Sequence, residues 1–313
     1  MTSENKIQVL SVNVSEKKGT IKKPVSSIQL NDFGVMQDAH AGSWHRQVSL
    51  LGIESIRKFA GQADREVAFG EFAENISTEG IILYELAPLD KLFIGSTELE
   101  VTQIGKKCHG TGCAIFNEVG NCVMPKEGIF ARVLKHGKVK AGDEILLERK
   151  KFKVMVITLS DRASSGVYDD LSGPEIIKNL ESFFIENRWL CEIDYRLIAD
   201  DQDKLKELLT LARSKYYDMV FTTGGTGIGP RDFTPEVAKS FIDKEIPGIM
   251  ESIRLKFGAD KPNALLSRGV AGVMGETFLY VLPGSVKAIK EYMGEIVKTL
   301  RHLVFMLKGI DVH

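Results

Sequence analysis

Residues 222–236 read TTGGTGIGPRDFTPE, with glycines at 224, 225, 227 and 229 followed at once by Arg231 and Asp232. Glycine lets main-chain N–H groups come close to an anion, so such a loop can form a nest for phosphate oxygens, with charge beside it to orient or neutralise them. The residue order excludes two common phosphate loops. A Walker loop needs Lys and then Ser or Thr after its last glycine, where Pro230 and Arg231 stand, and a dinucleotide fingerprint counted from Gly225 needs glycine at Pro230. A plain tight turn is the bland alternative; four glycines with an adjacent Arg-Asp pair favour a ligand site. Two other places could do chemistry. Asp200 and Asp201 adjoin in YRLIADDQ, although paired acids before a helix ordinarily serve its N-terminus. Cys108, His109, Cys113 and Cys122 fall within fifteen residues but lack the Cys-x2-Cys knuckles of structural zinc sites. Lys106, Lys107 and His109 flank Cys108, and neighbouring cations lower a thiol pKa, so a reactive thiolate fits better, with Cys122 the simply buried one.

The elements around the loop fix where it lies. YYDMVFTTGG reads as a strand entering it, and TPEVAKSFI as a helix leaving it, with Thr234 as N-cap and Pro235 at the first helical position. That puts the loop at the carboxyl end of a strand, where open α/β sheets bind ligands. Buried-type strands at 152–159 and 217–223 alternate with helical runs such as Leu205, Leu208, Leu209 and Ala212, the rhythm of a mainly parallel sheet covered on both faces. A last helix from about Val286 sets Ile289, Met293, Ile296, Leu300, Val304 and Leu307 on one stripe. Upstream, short alternating segments separated by Gly, Asn and Asp turns read as a β-rich barrel or sandwich interrupted by one helix in SLLGIESIRKFAG. The charged stretch ERKKFK separates the two patterns, giving domains 1–149 and 150–313.

The bulk numbers limit partners. The 313 residues carry 41 Lys plus Arg against 42 Asp plus Glu. Neither half has the basic excess that nucleic-acid or anionic-membrane binding requires. No apolar run reaches the roughly 18 residues of a membrane span, and no signal peptide is evident, so a cytoplasmic protein is expected.

TTGGTG, RDFTPE, LLSRGVAG, LPGSVKA and TLSDRASSG, in that set and spanning 152–313, closely resemble the molybdopterin adenylyltransferases of molybdenum cofactor synthesis, the MogA/MoaB type. The resemblance implies a three-layer α/β fold and transfer of AMP from ATP to the terminal phosphate of molybdopterin. It implies phosphate contacts from the amides of Gly224, Gly225, Thr226 and Gly227 and functional acids at Asp200 and Asp232. Carboxylates set among phosphates need a cation between them, so magnesium on Asp200 and Asp232 belongs to the expectation. Ser160, Asp161, Thr234, Glu251, Ser267, Arg268, Pro283, Gly284 and Ser285 are the further expected substrate or nucleotide contacts. Without the resemblance, Arg268 reads as a surface ion pair, Asp161 as a turn acid and Ser285 as a helix cap. A homotrimer through the second half is also implied.

DAHAGSWHRQVSLL, GEFAENISTEGI and GIFARVLKHGKVKAGD, over about 5–148, resemble the MOSC domain, named for the C-terminal domain of molybdenum cofactor sulfurase. That resemblance implies a β-barrel and a cysteine that binds the cofactor's metal or carries sulfur, Cys113 before Cys108, with the molybdenum cofactor bound there. His40 and His45 have metal-compatible spacing but suit a structural role at a barrel rim. Both halves thus point to one small molecule, and tethering raises the local concentration of one module for the other's product. The expected partners are the small substrates and a molybdate-inserting enzyme or recipient molybdoenzymes. A non-catalytic pterin carrier and a nucleotide hydrolase are the alternatives.

Overall fold

The computed structural model describes residues 6–107 and 122–311. Two compact units emerge. The first takes the described residues through Lys150 together with Ile310 and Asp311, and the second runs from Lys151 to Gly309. The assignment of the whole tail to the second half therefore needs amending: Gly309, at φ +66°, turns the chain out of the last helix, and Ile310 is buried at 2% exposure.

The first unit is built from β1 (Gln8–Val14), β2 (Lys23–Val25), β3 (Ile28–Asn31), β4 (Gly34–Val35), β5 (Val48–Gly52), β6 (Ile76–Glu79), β7 (Lys91–Ile94), β8 (Thr97–Ile104), β9 (Ile129–Lys135), β10 (Gly137–Val139) and β11 (Ile145–Glu148). Eight form a sheet in the order β11-β7-β8-β9-β5-β6-β1-β2, and three form a second sheet, β10-β3-β4. Only β5 and β6 pair in parallel within this unit's described strands, because helix α1 (Ile53–Ala63) supplies the crossover between them. Ile53, Ile56 and Phe59 recur at helical spacing on its buried face, and the Phe59 ring meets Phe72 edge-on at 5.0 Å. The one-turn helix α2 (Met124–Glu127) precedes β9. Alternate residues of the strands, among them Val12, Leu50, Ile76, Leu92 and Val101, fill one core. The expected barrel is not closed: β1 and β11 do not share a ladder. Their ends meet at the single bridge Gln8↔Glu144, flanked by bonds from the Val9 amide to Asp143 O (2.9 Å) and the Ile145 amide to Ile7 O (2.9 Å).

The second unit holds β12 (Lys151–Leu159), β13 (Leu190–Ile198), β14 (Met219–Thr223), β15 (Lys244–Glu245), β16 (Val270–Met274) and β17 (Thr277–Leu282) in the order β13-β12-β14-β17-β16-β15. The sheet is mixed. β13, β12, β14 and β17 are parallel, whereas β16 runs antiparallel to β17 because only the turn around Gly275 joins them, with no room for a crossover. Helices α3 (Asp161–Ser164), α4 (Ser172–Glu186), α5 (Gln202–Ser214), α6 (Thr234–Lys239), α7 (Pro247–Gly258) and α8 (Val286–Leu307) complete it. Leu205, Leu208, Leu209 and Ala212 of α5 pack with Met155, Ile157 and Val220 of the sheet. The stripe foreseen on α8 is buried from Ile289 to Val304, with Leu307 only half-buried. Among the described residues no helix is long and apolar enough to cross a membrane.

Candidate functional site

Four parallel strands end on one edge, and each hands over to a residue of interest. β12 leads to Ser160 and Asp161, β13 to Asp200, β14 to the glycine loop and β17 to Pro283–Ser285. Because the chain crosses from β13 past β12 to β14, a crevice opens at that edge between β12 and β14. It is a cavity of about 670 Å³ lined by Ser160, Asp161, Asp200, Gly225, Asp232, Gly284 and Ser285, together with Thr158, Tyr168, Asp170 and Arg231. Its size suits a small-molecule ligand.

The loop's backbone dictates its glycines at two positions. Gly224 has φ +103° and lies so close to β12 that a Cβ would stand 2.2 Å from Leu159 O. Gly225 has φ +61°, and a Cβ there would stand 2.4 Å from Thr234 Oγ1. The Gly224 amide donates to Leu282 O at 3.2 Å. It is therefore spent on tying β14's end to β17's, contrary to its expected part in the phosphate nest. No group among the described residues accepts from the amides of Gly225, Thr226 or Gly227. Those three N–H groups are available to an anion.

Carboxylates stand beside them. Asp161 and Asp200 exchange bonds: the Asp200 amide donates to Asp161 Oδ1 at 2.9 Å and the Asp161 amide to Asp200 Oδ2 at 3.3 Å. The bond from the Asp200 amide, and then the Arg231 guanidinium paired with it, hold the Asp161 carboxyl below the usual carboxylate range. Asp232 folds back across its own loop, accepting the Gly229 amide at 2.8 Å. Asp201 does what an acid before a helix ordinarily does, accepting from the amides of Asp203 and Lys204 to cap α5, so Asp200 alone of that pair lines the crevice.

Several expected contacts lie elsewhere. Arg268 donates through Nε to Gly227 O (2.6 Å) and through a terminal nitrogen to Asp232 O (2.5 Å), and pairs with Glu236. Its guanidinium braces the glycine loop from behind, so its donors are committed to carbonyls and a carboxylate. Arg268, Ser267 and Glu251 line a different hollow of about 430 Å³ between α6 and α7. Thr234 is the first residue of α6 and does not cap it; its hydroxyl is buried without a partner beside Gly225. Ser285 caps α8 by accepting from the Ala288 amide, and Ser160 caps α3 by accepting from the Ala163 amide. Pro283 O accepts from Thr223 Oγ1 at 2.8 Å. The sequence-expected Cys108 and Cys113 lie outside the described residues.

Asp170 escaped the sequence reading. Its carboxylate accepts from Thr158 Oγ1 (2.7 Å), Tyr195 OH (2.6 Å), and the amides of Ser172 (2.9 Å) and Gly173 (3.0 Å). It thereby joins β12 and β13 to the start of α4, and Ser172 Oγ passes the connection to Gly284 O at 2.7 Å. Burial, with the bond to Asp170, pushes the Tyr195 phenol up to about 12, so it stays a donor at physiological pH. The signal for Asp170 is its place ahead of SGPE, where an Asp caps a helix start.

These features define the class: an open α/β domain with an anion-receptive loop at its topological switch. Residues 155–302 match the family described as "Probable molybdopterin binding domain", and residues 37–146 match the MOSC domain. The molybdopterin adenylyltransferase of Helicobacter pylori strain J99 is 36% identical over 155 residues, covering 49% of this chain and 86% of that protein. That of Escherichia coli K12 is 36% identical over 140 residues, covering 44% of this chain and 70% of that protein. Dictyostelium discoideum gephyrin is 37% identical over 171 residues, 52% of this chain but only 23% of gephyrin's length. Through its second unit the chain belongs to the molybdopterin adenylyltransferase family, and it carries a MOSC domain ahead of it.

Proposed function

We propose that the second unit transfers the adenylyl group of ATP to the terminal phosphate of molybdopterin. An oxygen of that phosphate attacks the α-phosphorus in line, the bond from the α-phosphorus to the bridging oxygen breaks, and pyrophosphate leaves. Such a transfer is catalysed by positioning and charge neutralisation. The observation that carries the reading is that Gly225, Asp200 and Asp232 line one crevice, while the amides of Gly225, Thr226 and Gly227 in the same loop have no acceptor among the described residues. The amides would hold phosphate oxygens, Arg231 would add positive charge at the rim, and the Asp170 network would keep Thr158, Ser172 and Gly284 in register as walls.

The donor set also fits magnesium. Among the described residues no cluster of three or more His, Cys, Asp or Glu side chains could form a metal cage. Magnesium characteristically takes one or two carboxylates and completes its shell with water and substrate phosphates, which is what Asp200 and Asp232 allow. Bound there, it would neutralise charge on the phosphates.

The first unit, in this reading, binds, sulfurates or hands on the molybdenum cofactor, and the approach of β1 and β11 at Gln8 and Glu144 supports a barrel-like form for it. Exposed Leu255, Leu265 and Leu266 of the second unit support a homotrimeric assembly that would cover them. Incubation with ATP, magnesium and molybdopterin tests the central step: pyrophosphate should appear only when the pterin is present. Pyrophosphate absent with all three components would leave a carrier, and nucleotide turnover without pterin a hydrolase.

A further inference from the structure

Five aspartates line the second unit's crevice against two arginines, Arg162 and Arg231. An anion entering such a place meets net negative charge, so the arginines decide whether it can stay. Arg162 lies over the Tyr168 ring, 5.2 Å from its centroid. Arg231 joins two sides of the crevice. It belongs to the loop that follows β14, yet its guanidinium pairs with Asp161, which follows β12. Asp161 is set to receive it: the Asp200 amide fixes Oδ1 at 2.9 Å, and Oδ2 meets Arg231. The pair is open to water, its side chains 36% exposed at Asp161 and 66% at Arg231. An exposed ion pair of this kind is weak, so a competing anion can take one partner from the other. Arg268 also touches the glycine loop but is not free to exchange, because two carbonyls and Glu236 hold it.

We propose that the Arg231–Asp161 pair is an autoinhibitory contact, in which Asp161 is an internal competitor that a polyphosphate must displace from Arg231. The exchange replaces a carboxylate by a phosphate oxyanion on one guanidinium, whose planar fork can give either of them two parallel donors. The free amides of Gly225, Thr226 and Gly227, in the same loop, add to the anion's contacts. Displaced, the Asp161 carboxylate is left beside Asp200, with which it exchanges main-chain bonds. Two uncovered carboxylates favour a divalent cation, so anion and cation should help each other to bind, and by linkage to the same degree. The inference rests on the proposed function only in taking the phosphates of a nucleotide as the natural anion; the exchange itself stands on Arg231 and Asp161.

Calorimetric titration of the full chain with inorganic tripolyphosphate in metal-free buffer tests the exchange. Arg231→Gln should weaken binding about tenfold, the loss of one charge-assisted contact. Asp161→Asn, whose side-chain oxygen still accepts from the Asp200 amide, should tighten binding about threefold to fivefold, since no pair has to be broken first. In the Arg231→Gln background that gain should fall to the level given by Asp200→Asn, which removes an equal charge from the crevice but not the partner of Arg231. Manganese binding, read without anion from the spin-resonance signal of the free ion, should be tighter in Arg231→Gln than in the parent, and Asp161→Asn should remove that difference. A gain from Asp161→Asn that is the same with and without Arg231, or no gain at all, overturns the proposal, as does the absence of saturable tripolyphosphate binding in every chain. Unchanged manganese affinity in Arg231→Gln overturns its cation part. Pyrophosphate release by the parent chain is a separate readout, so the exchange can hold where adenylyl transfer fails, and fail where transfer holds.

Discussion

Replacing Gly224 by Ala loads strain onto the point where β12, β14 and β17 meet. The new Cβ would stand 2.2 Å from Leu159 O, whereas a carbon meets a carbonyl oxygen comfortably at roughly 3.3 Å. About 1 Å must therefore be found between two backbones. Neither is free to give it: Leu159 ends a strand paired on both sides, and Gly224 is tied to Leu282 O at 3.2 Å. The φ of +103° adds a penalty of about 1–3 kcal/mol for any residue with a Cβ. Overlap and backbone strain together should cost the second unit about 3–5 kcal/mol. Adenylyl transfer should fall about a hundredfold, the consequence of a reacting geometry displaced by roughly 1 Å. Urea unfolding followed by Trp189 emission, in a Trp44→Phe background, isolates the second unit. Gly294→Ala serves as the comparison: it lies in α8 with nothing within 4 Å of its added Cβ and should stabilise by about 0.5–1 kcal/mol. A Gly224→Ala chain within about 0.5 kcal/mol of the parent and with an unchanged rate would refute a strained contact at Leu159.

Asp200→Asn and Asp232→Asn should each lower pyrophosphate release by about a hundredfold or more at saturating magnesium, with unfolding midpoints unchanged, because each removes charge from the crevice without removing packing. Asp170→Asn should destabilise the second unit by about 1–3 kcal/mol, since the amide cannot accept all four bonds, and should reduce kcat more than it raises KM. Arg268→Ala should weaken nucleotide binding through disorder of the loop carbonyls it braces, detectable as faster hydrogen exchange at residues 225–232. In the first unit, burial raises the Glu74 carboxyl above its usual range, and one of its oxygens has no partner. Its contribution to stability is present below the unfolded value and is lost as pH rises through the raised folded one. Glu74→Gln keeps an acceptor for the Gly70 amide and Ser77 hydroxyl, so it should be the more stable form at pH 8, with the gap closing toward pH 4 in thermal melts.

The crevice was legible because its parts are local signals. The glycine loop announces its backbone at the end of β14, whereas Asp200 and Asp232 were singled out by the family resemblance; both line the crevice. What sequence could not weigh was competition for each donor. Gly224 looks like its neighbours in sequence, yet its amide is taken by Leu282, a residue nearly sixty positions away. Arg268 is equally suited to a phosphate or to carbonyls, and only tertiary packing chooses Gly227 and Asp232. Asp170 was passed over because its partners come from two strands and a helix start. The mixed sheet follows from the short β16–β17 turn, which periodicity does not distinguish from a crossover. In the first unit, alternation identified strands and core, but closure depends on how β1 and β11 approach, a property of accumulated twist and not of either strand's sequence.

In the proposed reaction the amides of Gly225, Thr226 and Gly227 hold a triphosphate between Asp200 and Asp232. Isotope-labelled amide spectra during titration with ATP and magnesium test it most directly. Those three resonances should shift together at one saturating concentration while the Gly224 amide, bonded to Leu282, moves little. Shifts confined to the hollow lined by Glu251 and Ser267, with the loop amides unmoved, would contradict it.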